Sequence, residues 1–207
     1  MQLNVNATRM ELLKLKRRLV TAKRGHKLLK DKRDELMKEF MKRIRDTRDI
    51  RRTVEEKLTV ASRAFLVARA VMSDEVLEEA IMYPKVKVSL DVGAQNVMGV
   101  SVPVLKATTE GDPYNYGFVG TSAELDTALG KYNEALPDMI KLAEMERTIE
   151  LLASEIEKTR RRVNALEYVM IPQLESTVRS IGMKLSEQER GNVTRLMKVK
   201  DIVRKEL

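Results

Sequence analysis

The chain has one histidine and no cysteine among its 207 residues, so the types that most often run nucleophilic, thiolate or imidazole chemistry are nearly missing. His26 follows Gly25 at a heptad position, where a polar residue sets helix register, and one imidazole cannot assemble a metal site. Gly130-Lys131 is followed by Tyr132, and Leu125 stands where a phosphate-cradling loop needs its first glycine. No dinucleotide glycine fingerprint occurs either. Carboxylates are plentiful, but in helix-forming stretches they fall three or four residues from Lys and Arg, a spacing for pairing and not for acid–base couples. These residues predict no catalytic centre, no metal and no cofactor.

The chemistry that remains is cationic. Lys and Arg number 39 against 31 Asp and Glu, a net charge of +8, and residues 1–60 hold 19 of those cations against 9 acids. Such an arm fits nucleic acid, an anionic membrane surface or an acidic protein cavity, and it is also what a solvated helix face looks like. Aromatics make up 4% of the chain and Phe40 is the sole one in residues 1–60, so stacking on single strands has almost no platform. Phosphate contacts to a duplex stay open. Arg160-Arg161-Arg162 is a second cluster, flanked by Glu155, Glu157 and Glu167 at helical spacing and read as paired within its helix.

The elements that carry these cations are long helices. No Gly or Pro occurs from His26 to Tyr83, and a second clean run goes from Asp138 to Ile171 and continues, past Pro172, to Leu207. A 3,4 seam runs through Leu12, Leu15, Leu19, Ala22, His26, Leu29, Arg33, Leu36 and Phe40. Spacings of 4, 3 and 3 through Ile44, Thr47 and Ile50 interrupt it, and it resumes at Val54, Leu58, Ala61, Phe65, Ala68 and Met72. The second arm answers with Leu125, Leu129, Tyr132, Leu136 and Met139, then Ile149, Leu152, Ile156, Thr159, Val163, Leu166 and Met170. Two stripes of this kind need each other or a partner to leave water.

Between the arms the composition changes, with Pro84, Pro103, Pro113 and six glycines from Gly93 to Gly130. Val86, Val88, Leu90 and Val92 alternate with polar residues, and after Gly93-Ala94-Gln95-Asn96 the alternation returns as Met98, Val100, Val102 and Val104. This predicts a β-hairpin turning at residues 93–96. Tyr114, Tyr116 and Phe118 belong to a loop expected to dock on the hairpin or the helices, and Thr121 with Glu124 offers the next N-cap. The fold class is all-α dominated, a long antiparallel two-helix coiled coil with a hairpin insert. Its segments are an N-terminal helix 1–83, a hairpin and loop 84–120, and a C-terminal helix 121–207.

No apolar run reaches the ~18–20 residues of a membrane span, and Met1-Gln2-Leu3-Asn4-Val5-Asn6 lacks the apolar core of a leader. A cytoplasmic protein, peripheral to any membrane, is expected, and the lack of cysteine suits a reducing compartment.

Two blocks carry a resemblance. Asn6-Ala7-Thr8-Arg9-Met10-Glu11-Leu12, leading into the stretch from Thr21 to Leu36, and the block from Glu155 to Pro172 resemble the D subunit of the V-type and A-type rotary ATPases. The helix, hairpin, helix plan extends that likeness over the chain. At Glu189–Leu196 this chain departs from the more acidic and aromatic stretch of many members, and Gly191 with Asn192 predicts a fraying tip. The resemblance implies a non-catalytic rotor shaft that couples ATP synthesis or hydrolysis in a catalytic hexamer to ion transport. It implies as partners the hexamer's catalytic and regulatory subunits, a small stalk subunit of the F type and a membrane-side stalk subunit, with no nucleic acid and no insertion into the membrane. Under it, Arg9, Lys14, Lys16, Arg17, Arg18, Lys23 and Arg24, with Arg195, Lys198, Lys200 and Arg204 beside them, form a track for acidic loops of the hexamer. Two readings from other classes are a prefoldin-like chaperone, also a coiled coil with hairpin structure, and a basic coiled-coil nucleic-acid binder.

Overall fold

The computed structural model describes residues 5–117 and 119–206. Met1–Asn4, part of the stretch read for a leader, Phe118 of the loop aromatics and Leu207 lie outside the described residues. The order is α1 (Arg9–Val71), α2 (Asp74–Met82), β1 (Lys87–Val97), β2 (Val100–Glu110), α3 (Ala123–Ala165), a π-helical turn (Leu166–Met170) and α4 (Ile171–Glu206). The chain divides into two compact units, one of residues Met1–Glu35 with Glu157–Leu207 and one of Leu36–Ile156.

Local chemistry sets the helix ends. The Thr8 hydroxyl accepts the Glu11 N–H at 3.2 Å, a capping-box spacing. The helix expected to run on to Tyr83 instead breaks at Ser73, which is extended at φ −72°, ψ 147°. Ser73 accepts the Leu77 N–H at 3.1 Å, Asp74 and Glu75 fill the first turn of α2, and Arg69 holds Asp74 across the break at 2.9 Å. The break turns Leu77 into a cluster with Ala68 and Leu125. The cap of α3 is Ser122, whose Oγ accepts the Glu124 N–H at 3.2 Å. Thr121, the expected cap, donates to the Gly117 carbonyl instead. Pro137 lies within α3 on an exposed turn, where the carbonyl that loses its partner faces solvent. At the tip α4 stays helical through Gly191 and Asn192.

In the unit of residues 1–35 and 157–207, α1 and α4 run antiparallel, with ion pairs Arg9–Glu189 and Lys23–Glu175, and His26 Nε2 lies within hydrogen-bond distance of Glu167 in the π turn. Leu15, Leu174 and Ile181 form its core, flanked by Leu12, Leu19, Ala22, Val178 and Leu185. The π turn decides which residues reach that core. The Ile171 N–H bonds the Leu166 carbonyl, five residues back. One extra residue therefore enters the heptad, and the seam after Val163 and Leu166 continues at Ile171, Leu174, Val178, Ile181 and Leu185. Met170, expected in the seam, is rotated out to 48% exposure. Pro172 lacks the N–H that a regular helix needs here, which accounts for where the ladder lengthens.

In the unit of residues 36–156, Leu36, Val54, Ala61, Ala64 and Ala68 of α1 and Leu125, Ala128, Ala135, Leu152 and Ile156 of α3 are buried. Thr47 is buried as well, its hydroxyl returned to the Arg43 carbonyl at 2.8 Å so that only its methyl group adds to the seam. Tyr116 packs on the Ala68, Leu77 and Leu125 cluster and donates its hydroxyl to Asp126. Burial first, and that bond second, push its phenol above the usual 10.

The hairpin turns later than expected. Gly93 through Asn96 belong to β1, and the two-residue turn is Met98-Gly99, with φ +54° and +85°. The Asn96 side chain accepts the Gly99 N–H at 2.8 Å. Val97 pairs with Val100, Gln95 with Val102 and Val92 with Leu105. Directly paired residues share a face, so Val100, Val102 and Val104 lie on one face, whereas Val88, Leu90 and Val92 lie on the other. The two apolar runs therefore lie on opposite faces of the hairpin. Val100 and Val102 bury against Leu36, Leu152 and Ile156, with Val97 and Phe40 at the margin.

Replacing Leu174 by Ala removes a buried seam residue and is expected to cost about 2–5 kcal/mol in chemical denaturation, against less than about 1 kcal/mol for Met170→Ala. Equal losses would overturn the shifted seam. Because the folded phenol of Tyr116 titrates above the unfolded one, its contribution is complete below about pH 10 and is lost as pH rises beyond it. Tyr116→Phe should therefore flatten the fall of unfolding free energy above pH 10 relative to the parent chain.

Candidate functional site

The expected cations of the track all lie in the unit of residues 1–35 and 157–207, and all are exposed. Arg9 pairs with Glu189, Lys14 with Glu11 and Lys23 with Glu175. Lys16, Arg17, Arg18 and Arg24 carry no ion pair among the described residues. The two halves of the track are not side by side. Arg9 sits level with Glu189, so Arg195, Lys198, Lys200 and Arg204 run past the first turn of α1, to a point roughly 22 Å further along α4 at 1.5 Å per residue. Every described residue from Ser186 to Arg204 is exposed, including Val193, Leu196, Val199, Ile202 and Val203.

Lys14, Arg17, Arg18 and Thr21 share one face of α1, as spacings of three and four require. Met10 and Leu13 lie beside them, and Met170, turned outward by the π turn, lies across the helix pair at the Thr21 and Ala22 end. Together they line an open groove of about 740 Å³ floored by Ala22 and Leu174. No acid, histidine or cysteine is among the residues that line it. Exposed apolar side chains bordered by three cations suit an acidic protein loop with an apolar tip.

Of the expected seam residues, Leu15, Leu36, Leu152, Ile156 and Val163 are buried, and Leu19, Leu29, Phe40, Leu58, Phe65 and Leu166 are half-buried. Sequence reasoning missed Ile171, Leu174, Val178, Ile181 and Leu185, although their 3,4 spacing was present one residue out of phase. Of the hairpin residues, Val100 and Val102 are buried, Val86 and Val104 half-buried, and Met98 sits in the turn. Val88, Leu90 and Val92 are exposed. His26 lies with its Nε2 3.2 Å from Glu167 Oε2, beside the π turn. Arg161 pairs with Glu157 in its own helix. In the other unit Arg51 pairs with Glu146, and that hydrogen bond and charge raise its guanidinium pKa above its ordinary value.

No described helix is long and apolar enough to cross a membrane. The profile of the ATP synthase D-subunit family matches residues 11–201. The chain belongs to that family. The D subunit of the V-type ATP synthase from Acetivibrio thermocellus is 60% identical over 97% of this chain and 92% of its own. The one from Clostridium novyi is 56% identical over 99% and 97%, and one from Clostridium botulinum 57% identical over 98% and 96%. Family membership over nearly the whole length disfavours the chaperone and nucleic-acid readings.

Exposed pairs are worth little. A double-mutant cycle on Lys23 and Glu175 is expected to give less than about 1 kcal/mol of coupling, with the helical circular dichroism unchanged. A coupling of several kcal/mol would make these cations part of what holds the helices together, not a surface for a partner.

Proposed function

We propose that this chain is the central rotor shaft of a V-type ATP synthase, coupling ATP synthesis or hydrolysis in a catalytic hexamer to the transport of H+ or Na+. The observation that carries the reading is the family match over residues 11–201, together with relatives covered over more than nine-tenths of their length. The chain is a non-catalytic subunit, and its partners are other subunits of that complex. In this reading it lies peripheral to the membrane on the cytoplasmic side. On the same reading the long helices within segments 1–83 and 121–207 pair and enter the hexamer, and 84–120 stays outside it. The small stalk subunit of the F type and the membrane-side stalk subunit bind away from the basic track.

The physical task follows from asymmetry. A helix pair inside a threefold cavity presents different side chains to each interface, and turning it favours open or closed subunits by the difference in contact energy. Arg17 and Arg18 at the groove, with Lys198 and Lys200 on the tip, are placed to meet acidic loops. α1 holds 63 residues in one helix, and an unbroken hydrogen-bond ladder of that length supports torque transfer along it.

The test uses the complete complex purified on a tagged chain. Recovery of both hexamer subunits and a small stalk subunit with ATPase activity is expected, and recovery of unfolded clients or nucleic acid in their place would overturn the reading. Reversing Arg17, Lys198 and Lys200 together to Glu should weaken assembly and coupled transport, with the parent complex itself losing assembly as salt rises. Unchanged assembly and coupling would remove the track.

A further inference from the structure

The two edges of the hairpin are guarded differently. A two-residue turn makes Val97–Val100 a hydrogen-bonded pair, and bonding then alternates, so the even residues of β1 and the odd residues of β2 point their backbone groups outward. On β2 that edge is closed off. Pro103 has no N–H to offer there, and the outward N–H of Leu105 donates to Glu144 of α3 at 2.8 Å. On β1 the outward positions are Val88, Leu90, Val92, Ala94 and Asn96. None is a lysine or a proline, the residues that usually blunt an edge. The sheet has two strands, so β1 has no strand on this side among the described residues, and every residue from Lys87 to Asn96 is exposed.

The same positions carry apolar side chains on the outer face, with Val88, Leu90 and Val92 at 40%, 53% and 65% exposure. Ala107 pairs with Leu90 and lies on that face too. An open backbone edge and an apolar face at every second residue therefore coincide on one strand. A docked helix or a lipid surface would cover the side chains and give the edge groups no partners, whereas an extended segment beside β1 pairs the edge groups and sets its own alternate side chains alongside Val88, Leu90 and Val92.

We propose that β1 is completed in the assembled machine by an extended segment of another subunit, apolar at every second residue, which adds a third strand beside residues 88–96. This rests on the reading of the chain as one shaft within a larger complex. Strand addition would make a marginal two-stranded hairpin into a stable sheet and give the shaft a contact directed by main-chain hydrogen bonds.

The test is amide exchange over residues 86–97, measured by mass spectrometry on the free chain and on the purified complete ATPase. The even-numbered amides should exchange at least about tenfold more slowly in the complex, and equal rates would overturn the proposal. Protection in the free chain that grows with its concentration would also overturn it, since the occupant would then be a second copy. Leu90→Pro deletes one outward donor while sparing the hairpin's own ladder, and Leu90→Thr keeps the donor while making the face more polar. Complexes carrying Leu90→Thr should retain protection at Val88 and Val92, and those carrying Leu90→Pro should lose it. Protection that survives Leu90→Pro would mean a cover that is not a strand. A chain that fails to recover with hexamer subunits at all would count against the shaft reading, a result distinct from any of these.

Discussion

Everything in the unit of residues 1–35 and 157–207 depends on the phase of one apolar seam. A fully buried Leu or Ile is worth about 1.5–3 kcal/mol relative to an exposed one, and Leu174 and Ile181 are buried there with Leu15. Were the helix regular after Val163, the positions facing α1 would be Met170, Gln173, Thr177, Ser180 and Lys184, largely polar. A single wider turn at Leu166–Met170 brings in Ile171, Leu174, Val178, Ile181 and Leu185, and of the polar set only Thr177 stays buried, its hydroxyl returned to the Gln173 carbonyl. The cost of one strained turn is small beside that exchange. Pro172 supplies the reason for its position, because the ladder must lose a bond there in any case.

The hairpin shows the same logic with a period of two. A strand slipped by one residue sends every side chain to the other face, so the place of the turn decides which valines meet the helices. Met98 and Gly99 take left-handed φ values, and the strands close at Val97–Val100. Val100 and Val102 then reach Leu36, Leu152 and Ile156, and Val88, Leu90 and Val92 are left outward. An apolar run facing water on a structure this small is costly to keep soluble, and a role for it in the assembly is the physical reading that removes the conflict.

The helices and the hairpin were legible in the sequence because heptads and alternation are properties of many residues together. Leu15, Leu36, Leu152 and Val163 could be placed from spacing alone. What escaped was set by single residues acting on the backbone. Ser73 ends a helix that no glycine or proline interrupts, Ser122 takes a cap that Thr121 was equally suited to, and the Met98-Gly99 turn lies behind the more turn-like Gly93-Ala94-Gln95-Asn96. The bulge at Leu166–Met170 left a trace in the phase of Ile171, Leu174 and Val178, visible only if the seam is allowed to slip. Of the basic track, the residue types and their exposure could be read, but not the offset between Arg9–Arg24 and Arg195–Arg204, which depends on where α1 starts against α4.

That same bulge links core and surface. By taking Met170 out of the seam it places an apolar side chain at the Thr21 and Ala22 end of the groove that Met10, Leu13, Lys14, Arg17 and Arg18 line along α1. Exposed cations contribute at most about 1 kcal/mol each and are screened by salt, too little for any one of them to govern a partner's conformation. Desolvating a methionine or leucine against a partner contributes about as much as two or three such pairs and is insensitive to salt. On the shaft reading proposed above, a groove that combines both would let the cations orient an acidic partner while the apolar wall supplied the energy that differs from one orientation to the next. A shaft that must release each partner in turn is better served by several modest contacts than by one strong bridge, since the strongest contact would also be the slowest to leave.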